Sequence, residues 1–241
     1  MSSSKLLSPL LSLKSVSKSY GSVRCLDAVS FSVYAGERLA LVGGNGSGKT
    51  SLVDVLSGFT VPDRGIVYMN GLRANRHHPA WFAARGMIRT FQSPRAFEQM
   101  TVLDCLCLAA WVPTSPSTFS SLIQPPNYRK KEECVRKHAL AALTAVDWGE
   151  RAAVPAGELS YGQRRFLSIL QLSLAEGTVA LCDEPTAGLD SNKASEALNL
   201  LKGWQTADQA RAIIVATHDL EFVSSYFDRI LRIEDGIVNE I

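Results

Sequence analysis

The alternation of apolar and polar residues predicts an antiparallel element near the start of the chain. From Leu11 to Tyr20 the two kinds of residue alternate, as they do in a strand that buries one face. Val29 to Tyr34 repeats the alternation, and Gly65 to Asn70 is a further short strand. These strands predict an antiparallel sheet, and residues 1–10 before them are expected to be a frayed extension.

Three unbroken apolar runs predict strands of another kind, and these are Leu39–Val42, Val179–Cys182 and Ala212–Ala216. A strand that is apolar at every position is typical of a parallel sheet that is covered on both faces. Helix-like sequence precedes or follows each run. This arrangement predicts an α/β fold with a mostly parallel sheet.

A helical subdomain is expected to be inserted into this fold at residues 93–157. The remaining residues, 11–92 and 158–241, would then form the α/β core and its antiparallel sheet. Within the insertion, Tyr128–Val146 places apolar residues on one helical face. Pro113–Asn127 is rich in Pro, Ser and Thr and is predicted to be a loop.

Composition narrows the class of protein. The 241 residues, 46% of them hydrophobic and 20% charged, suffice for one domain with a buried core. A net charge of +2 spread along the chain argues against a nucleic-acid-binding surface. The longest unbroken apolar run, Cys105–Val112, is far shorter than the ~20 residues that a membrane-spanning helix needs. The five cysteines lack zinc or redox spacing, which favours reduced thiols in the cytosol.

The segment Gly43–Thr50 fits the phosphate-loop pattern G-x-x-x-x-G-K-[ST]. It follows the predicted strand Leu39–Val42 and precedes an apolar-periodic helix, Ser51–Leu56, which is the context that the motif requires. Glycine lets backbone N–H groups converge on a phosphate, and the helix N-terminus favours an anion. Lys49 would contact the β- and γ-phosphates, and Thr50 would bind Mg2+. The segment therefore predicts nucleotide binding.

Two carboxylates follow the second apolar run. Asp183 and Glu184 stand at the carboxyl end of Val179–Cys182, the end at which ligands bind in α/β sheets. Asp183 is suited to holding Mg2+ through water, and Glu184 to polarising a nucleophilic water. Acidic residues often end strands, so the pair is informative only beside the phosphate loop. Together the two features predict a nucleoside triphosphatase.

Five motifs in one order resemble those of the ATP-binding subunits of ABC transporters. They are the phosphate loop, the segment Leu159-Ser-Tyr-Gly-Gln163, Asp183-Glu184, Gly188-Leu-Asp190 and His218. The resemblance extends from about Leu11 to Glu240. It implies a P-loop NTPase core of the RecA type that carries the antiparallel and helical subdomains. It also implies an ATPase that works as a head-to-tail dimer with two ATP molecules between its subunits.

The resemblance implies a role for each matched residue. Tyr20 would stack on adenine, and Asp190 would reach across the dimer. Ser160 and Gly162 would contact the γ-phosphate bound to the other subunit. The residues implied to bind ATP are Tyr20, Gly43, Gly44, Asn45, Gly46, Ser47, Gly48, Lys49, Thr50, Ser51, Ser160, Tyr161, Gly162, Gln163 and Asp190. The implied catalytic residues are Glu184, His218 and Gln92, and the implied Mg2+ ligands are Thr50, Gln92 and Asp183.

The residues around Gln92 carry a finer resemblance. Ile88–Arg95, with Phe97 and Met100–Val102, is similar to the ATPases of branched-chain amino-acid importers and of their urea and amide relatives. This implies a subunit on the cytoplasmic face of the cell membrane. Its implied partners are a second ATPase subunit, either a copy or a paralogue, transmembrane permease subunits and, indirectly, a substrate-binding protein.

Two departures from the family pattern stand out. Tyr161 replaces the commoner glycine, a variant that some importer subfamilies carry, and Gln171 stands where an arginine is usual. The first change is not taken as a sign of inactivation, and the second is expected to alter helix packing without touching the hydrolytic site.

Other readings of the chain stay open at this stage. The ATPase of a lipopolysaccharide or lipid exporter has similar motifs, but its helical lobe lacks an extended insertion, so Pro113–Asn127 favours the importer. A soluble ABC ATPase that acts on ribosomes or DNA usually carries two cassettes or a long coiled-coil insertion. A non-catalytic nucleotide-binding module is disfavoured by Glu184 and His218.

Overall fold

Ten strands and six α-helices form the part of the chain that a computed structural model describes, residues 8–90, 98–110, 126–220 and 224–241. The chain divides into two units. The first unit consists of Met1–Gln92, Gly177–Pro185 and Leu201–Ile241, and the second of Ser93–Glu176 and Thr186–Leu200.

An antiparallel sheet in the first unit confirms the expectation from the N-terminal alternation. Its strands are β1 (Leu11–Tyr20), β2 (Val23–Val33), β4 (Arg64–Met69) and β5 (Leu72–Arg73), in the order β2-β1-β4-β5. The start predicted for β2, Val29, was wrong by six residues. Register shifts along β1 let the pairing continue to Tyr20 opposite Val23 even though the alternation breaks down before Val29.

A six-stranded sheet, also in the first unit, confirms the predicted parallel core. Its strands are β3 (Arg38–Val42), β6 (Met87–Arg89), β7 (Val179–Asp183), β8 (Ala212–Thr217), β9 (Arg229–Glu234) and β10 (Ile237–Glu240). Their order is β10-β9-β3-β8-β7-β6, and every pair is parallel except the edge pair of β10 with β9. Strands β7 and β8 are buried at every position, as their unbroken apolar sequence predicts.

Two helices complete the described part of the first unit, α1 (Lys49–Leu56) and α2 (Pro79–Ala83). Leu52 and Leu56 of α1 share one apolar core with Leu39 and Leu41 of β3 and with Leu11 of β1. This core holds α1 directly after β3, so the turn between them has little freedom of position.

The second unit is helical in its described residues. Its helices are α3 (Val102–Ala110), α4 (Pro126–Ala145), α5 (Tyr161–Leu174) and α6 (Ser191–Thr206), the last of which extends into the first unit's residues. Single 3₁₀ turns lie at Gly149–Arg151 and Ala156–Glu158. None of the described helices is long and apolar enough to span a membrane.

The predicted end of the loop Pro113–Asn127 was wrong by two residues. Helix α4 begins at Pro126, and proline is well tolerated in the first turn of a helix because its missing N–H would have no partner there. Residues 113–125 lie outside the described part of the chain, and the limits of the helical subdomain, 93–157, stay a prediction.

Gln171, which replaces an arginine of the family pattern, has a defined packing role. Its Nε2 donates a hydrogen bond to the backbone oxygen of Cys105 at 3.0 Å, and so joins α5 to α3. On α5, the ring of Phe166 packs against that of Trp148 with their centroids 5.1 Å apart. Gln171 therefore provides an uncharged polar link between α5 and α3.

An ion pair joins the starts of two neighbouring strands, β3 and β9. Arg38 donates from Nε and Nη2 to the two carboxylate oxygens of Asp228 at 2.9 and 2.6 Å, and Asp228 N donates to Arg38 O at 3.0 Å. The hydrogen bonds from the Arg38 guanidinium hold the pKa of Asp228 below its usual value.

Replacing Asp228 by Asn should lower the free energy of unfolding by about 0.5–1 kcal/mol at neutral pH, because the lost pair is bidentate but partly exposed. Since the folded-state pKa is lowered, this stabilisation is complete above the usual aspartate pKa of 3.8. It is lost as the pH falls through the folded-state value. Urea unfolding of both proteins over a range of pH measures the difference.

The matched control is Asp27→Asn, which breaks the exposed ion pair with Arg24 and should change stability by less than about 0.3 kcal/mol. If the difference between wild type and Asp228→Asn stayed constant through the acid range, the Arg38 pair would not be its cause.

Candidate functional site

The phosphate-loop segment connects β3 to α1 and is tied to the sheet. Gly43 N donates to the backbone oxygen of Thr217, the last residue of the neighbouring strand β8, at 3.2 Å. Gly48 has φ +108 and precedes the first residue of α1. A Cβ at Gly48 would collide with the backbone oxygen of Cys25, and one at Gly43 would lie 2.5 Å from that of Ile233. These two glycines allow the loop to pack closely on β2 and β9.

Two other glycines of the loop, Gly44 and Gly46, face open space. A Cβ at Gly44 or Gly46 would meet no atom within 4 Å, and Gly46 has φ +79. Asn45 and Thr50 are exposed, whereas Ser47 and Ser51 are half-buried. The loop thus presents an open backbone surface directly before a helix N-terminus, which suits an anion.

Lys49 lies inside this loop. Its ammonium donates to the backbone oxygens of Gly43 and Gly44 at 2.7 and 2.8 Å, and the residue is only 7% exposed. A buried lysine held by loop carbonyls places one positive charge where the predicted phosphates would lie.

Three residues meet at the carboxyl ends of β7 and β8. The Nδ1 atom of His218 lies 3.0 Å from both carboxylate oxygens of Glu184, and the hydroxyl of Thr217 lies 3.2 Å from Glu184 Oε2. The backbone N of Glu184 donates to Ala216 O at 2.8 Å. Three consecutive residues of the β8 end therefore hold one glutamate.

Glu184 has an unusual backbone conformation, with φ +50. This left-handed region costs a non-glycine residue about 1 kcal/mol. The preceding residue, Asp183, is the last of β7 and is 3% exposed. The sharp change of direction after Asp183 turns the Glu184 side chain toward β8.

Thr217 is a residue that sequence reasoning missed. A signal was present, because it is the first polar residue after the apolar run Ala212–Ala216 and directly precedes His218. Threonine is common in strands, however, and nothing in the sequence alone says that its hydroxyl meets Glu184.

Tyr20 is the last residue of β1, and its side chain is accessible. The residue is 48% exposed, its hydroxyl lies 3.4 Å from Thr60 Oγ1, and Lys18 Nζ lies 5.3 Å from its ring centroid. An exposed ring at a strand end can stack on a planar ligand.

The segment Leu159–Gln163 of the second unit forms the start of α5. Ser160 caps the helix, with its hydroxyl accepting from Gln163 N at 3.3 Å while Gln163 Oε1 accepts from Ser160 N at 2.9 Å. This reciprocal arrangement is a capping box. Among the described residues no group accepts the proton of the Ser160 hydroxyl, so it can donate to a further acceptor at the positive end of the helix.

Gly162 and Tyr161 pack against the loop that carries Asp190. A Cβ at Gly162 would lie 2.5 Å from Gly188 O, and a Cβ at Gly188 would lie 3.1 Å from the Tyr161 ring. Tyr161 is 53% exposed, and its hydroxyl accepts from Arg165 Nη2 at 2.6 Å. Glycine at position 162 is thus required by the close approach of two backbone segments.

Asp190 has a structural role of its own. Its carboxylate accepts from Lys193 N at 2.9 Å, and its backbone oxygen accepts from Ala194 N at 2.8 Å. Asp190 therefore caps the N-terminus of α6.

The remaining predicted site residue, Gln92, lies outside the described part of the chain, as does Phe97. Within the described residues no group of three or more His, Cys, Asp or Glu side chains could hold a metal ion. The predicted ligands Thr50 and Asp183 would supply a hydroxyl and a carboxylate, and a protein set this small is usual for Mg2+ when substrate phosphates provide other ligands.

Comparisons with known proteins decide the family. A family model described as ABC transporter matches residues 26–187, which is more than half of the chain. The chain belongs to the ABC transporter family. It is therefore an ATPase that binds nucleotide, and ATPases of this family work as dimers with transmembrane permease components.

Individual relatives agree with this assignment. The chain is 28% identical to the high-affinity branched-chain amino acid transport ATP-binding protein LivG of Escherichia coli (strain K12), over 95% of this chain and 89% of the relative. It is also 28% identical to the sulfate/thiosulfate import ATP-binding protein CysA of Pectobacterium atrosepticum, over 96% of this chain and 66% of the relative. A crystal structure of the ADP conformation of an ATP-binding cassette of an ABC transporter is 30% identical, with TM-score 0.77 over 96% of this chain and 90% of that chain.

Replacing Gly48 by Ala should weaken nucleotide binding at least about tenfold, because it strains a positive φ and drives a methyl group against Cys25 O. Titration with a fluorescent ATP analogue measures the change. The control is Gly203→Ala in α6, where a Cβ meets no atom within 4 Å. That variant should bind normally and gain about 0.5–1 kcal/mol of stability. Unchanged binding by the Gly48 variant would contradict the role assigned to the loop.

Proposed function

We propose that this chain is the ATP-hydrolysing subunit of an ABC importer whose cargo is branched-chain amino acids, urea or related amides. It acts on the cytoplasmic face of the membrane, where ATP closes a dimer of ATPase subunits and hydrolysis reopens it. The observation that carries the catalytic part is the meeting of Glu184, Thr217 and His218 at the sheet edge that also carries the phosphate loop.

The phosphate loop binds the triphosphate in this proposal. The backbone around Gly44 and Gly46 surrounds the phosphates, and Lys49 moves its hydrogen bonds from loop carbonyls to phosphate oxygens. Tyr20 stacks on the adenine ring. Thr50, Asp183 and Gln92 hold Mg2+, which when bound neutralises charge on the phosphates.

Hydrolysis is then assigned to Glu184 as the base that takes a proton from the attacking water. The carboxylate is half-enclosed, with its side chain 16% exposed, and His218 is 60% exposed. His218 can therefore leave Glu184 for the γ-phosphate when nucleotide arrives. Gln92 joins them as the residue that senses Mg2+ and the water.

The Ser160–Gln163 segment serves the ATP bound to the other subunit. Three features support this role. The hydroxyl of the capping residue Ser160 can donate its proton, the backbone at Gly162 closely approaches that of Gly188, and α5 presents its positive end. Asp190 reaches across the same interface. Each ATP therefore contacts two cassettes, and a second subunit, a copy or a paralogue, is required for activity.

The transport partners are proposed from the second unit. The permease subunits contact the surface between Gln92 and Ala110, where Leu108 of α3 is 48% exposed. A substrate-binding protein supplies the solute, and no nucleic acid takes part. The name of the LivG relative and the residues around Gln92 support amino-acid or amide cargo. The name of the CysA relative makes sulfate the alternative cargo that an experiment must exclude.

Replacing Glu184 by Gln should lower kcat for ATP hydrolysis at least about 100-fold and leave ATP affinity within about twofold, because the amide cannot accept the water proton. Phosphate release and equilibrium ATP binding by the membrane complex that contains the chain and its second ATPase subunit measure the two effects. Glu234→Gln, the same change at an exposed strand end, is the control and should match wild type. Near-normal turnover of the Glu184 variant would remove this residue from catalysis.

The cargo is tested on the membrane complex that copurifies with the tagged chain. We expect permease subunits and a homologous ATPase subunit in that complex, and ATP-driven uptake of branched-chain amino acids, urea or short amides into proteoliposomes. Uptake of sulfate instead, with none of these solutes transported, would overturn the cargo proposal but not the ATPase assignment. Recovery of the chain with ribosomes or DNA would overturn the transport proposal itself.

A further inference from the structure

Thr217 occupies a buried position beside the glutamate assigned to catalysis. It is the last residue of β8 and is 1% exposed. Its Oγ1 lies 3.2 Å from Glu184 Oε2 and 3.2 Å from the backbone N of Asp219. The hydroxyl thus bridges the glutamate and the residue that follows His218.

The direction of both hydrogen bonds follows from the groups involved. A backbone N–H can only donate, so Asp219 N–H donates to the Thr217 oxygen. An ionised carboxylate can only accept, so the single hydroxyl proton of Thr217 points to Glu184 Oε2. The Asp219 amide therefore orients the Thr217 hydroxyl toward the glutamate.

Thr217 is also the stiffer of the two side chains that contact the Glu184 carboxylate. Threonine is branched at Cβ and has few χ1 conformations, and here it is enclosed by the sheet. His218 is mostly exposed and can rotate away. Of these two contacts, the one from Thr217 is suited to persist when His218 turns to a phosphate.

We propose that Thr217 is a positioning residue for ATP hydrolysis, and the inference depends on the proposed role of Glu184 as the base. Thr217 holds Oε2, which leaves Oε1 to accept the proton of the attacking water. This hydrogen bond restricts rotation of the Glu184 carboxylate. Because Thr217 is only 1% exposed, it acts through the Glu184 carboxylate and not by direct contact with the substrate.

The test compares Thr217→Val, which keeps the shape but removes the hydroxyl, with Thr217→Ser, which keeps the hydroxyl. Thr217→Val should lower kcat about tenfold with KM for ATP within about twofold, and Thr217→Ser should keep kcat within about threefold. Crystal structures of the two variants should place the Glu184 carboxylate differently in the valine variant alone. Thr217→Ala gives the same expectation if the valine variant does not fold.

A double variant separates positioning from general damage. In the Glu184→Gln background, Thr217→Val should cause less than about a twofold further loss, because the residue acts only through the carboxylate. Equal losses in the valine and serine variants, or normal kcat in a folded valine variant, would overturn the positioning role. Normal turnover of Glu184→Gln alone would refute the proposed base, and the inference about Thr217 with it.

Discussion

The parallel pairing of β8 with β3 on one side and β7 on the other is the constraint on which the site depends. In a parallel sheet all carboxyl ends lie at one edge, so the loops after these three strands are neighbours. Backbone hydrogen bonds to the end of β8 fix two of them, from Gly43 to Thr217 and from Glu184 to Ala216. The burial of β7 and β8, apolar along most of their length, therefore positions the polar groups that follow.

The chain takes unfavourable backbone conformations at the same edge. Gly46 and Gly48 adopt positive φ at small cost, but Glu184 does so as a full-sized residue. The hydrogen bonds of its amide and carboxylate to the β8 end compensate for that strain. The glutamate is thus held in one orientation, which in the proposed mechanism reduces the reorganisation of its carboxylate during hydrolysis.

In the second unit, the same residues serve both the fold and the proposed dimer site. Ser160 and Gln163 cap α5, Asp190 caps α6, and Gly162 permits a close backbone contact with Gly188. Ser160 and Tyr161 at the start of α5 are exposed, and an exposed helix N-terminus suits the phosphate of a second subunit in the proposed dimer. The structural roles of these residues are therefore compatible with the roles proposed for them at the dimer site.

The sequence by itself determined the fold class, the buried strands and the phosphate loop. Buried strands are visible in the sequence as apolar runs, and the phosphate loop is visible in the spacing of its glycines. It did not predict the start of β2, which depends on register shifts against β1, or the start of α4 at Pro126. The tertiary structure alone decided that Thr217 and His218 face Glu184, since 33 and 34 residues separate them along the chain. Such contacts arise only when β7 and β8 pair, and local residue patterns carry no information about the side chains that this pairing joins.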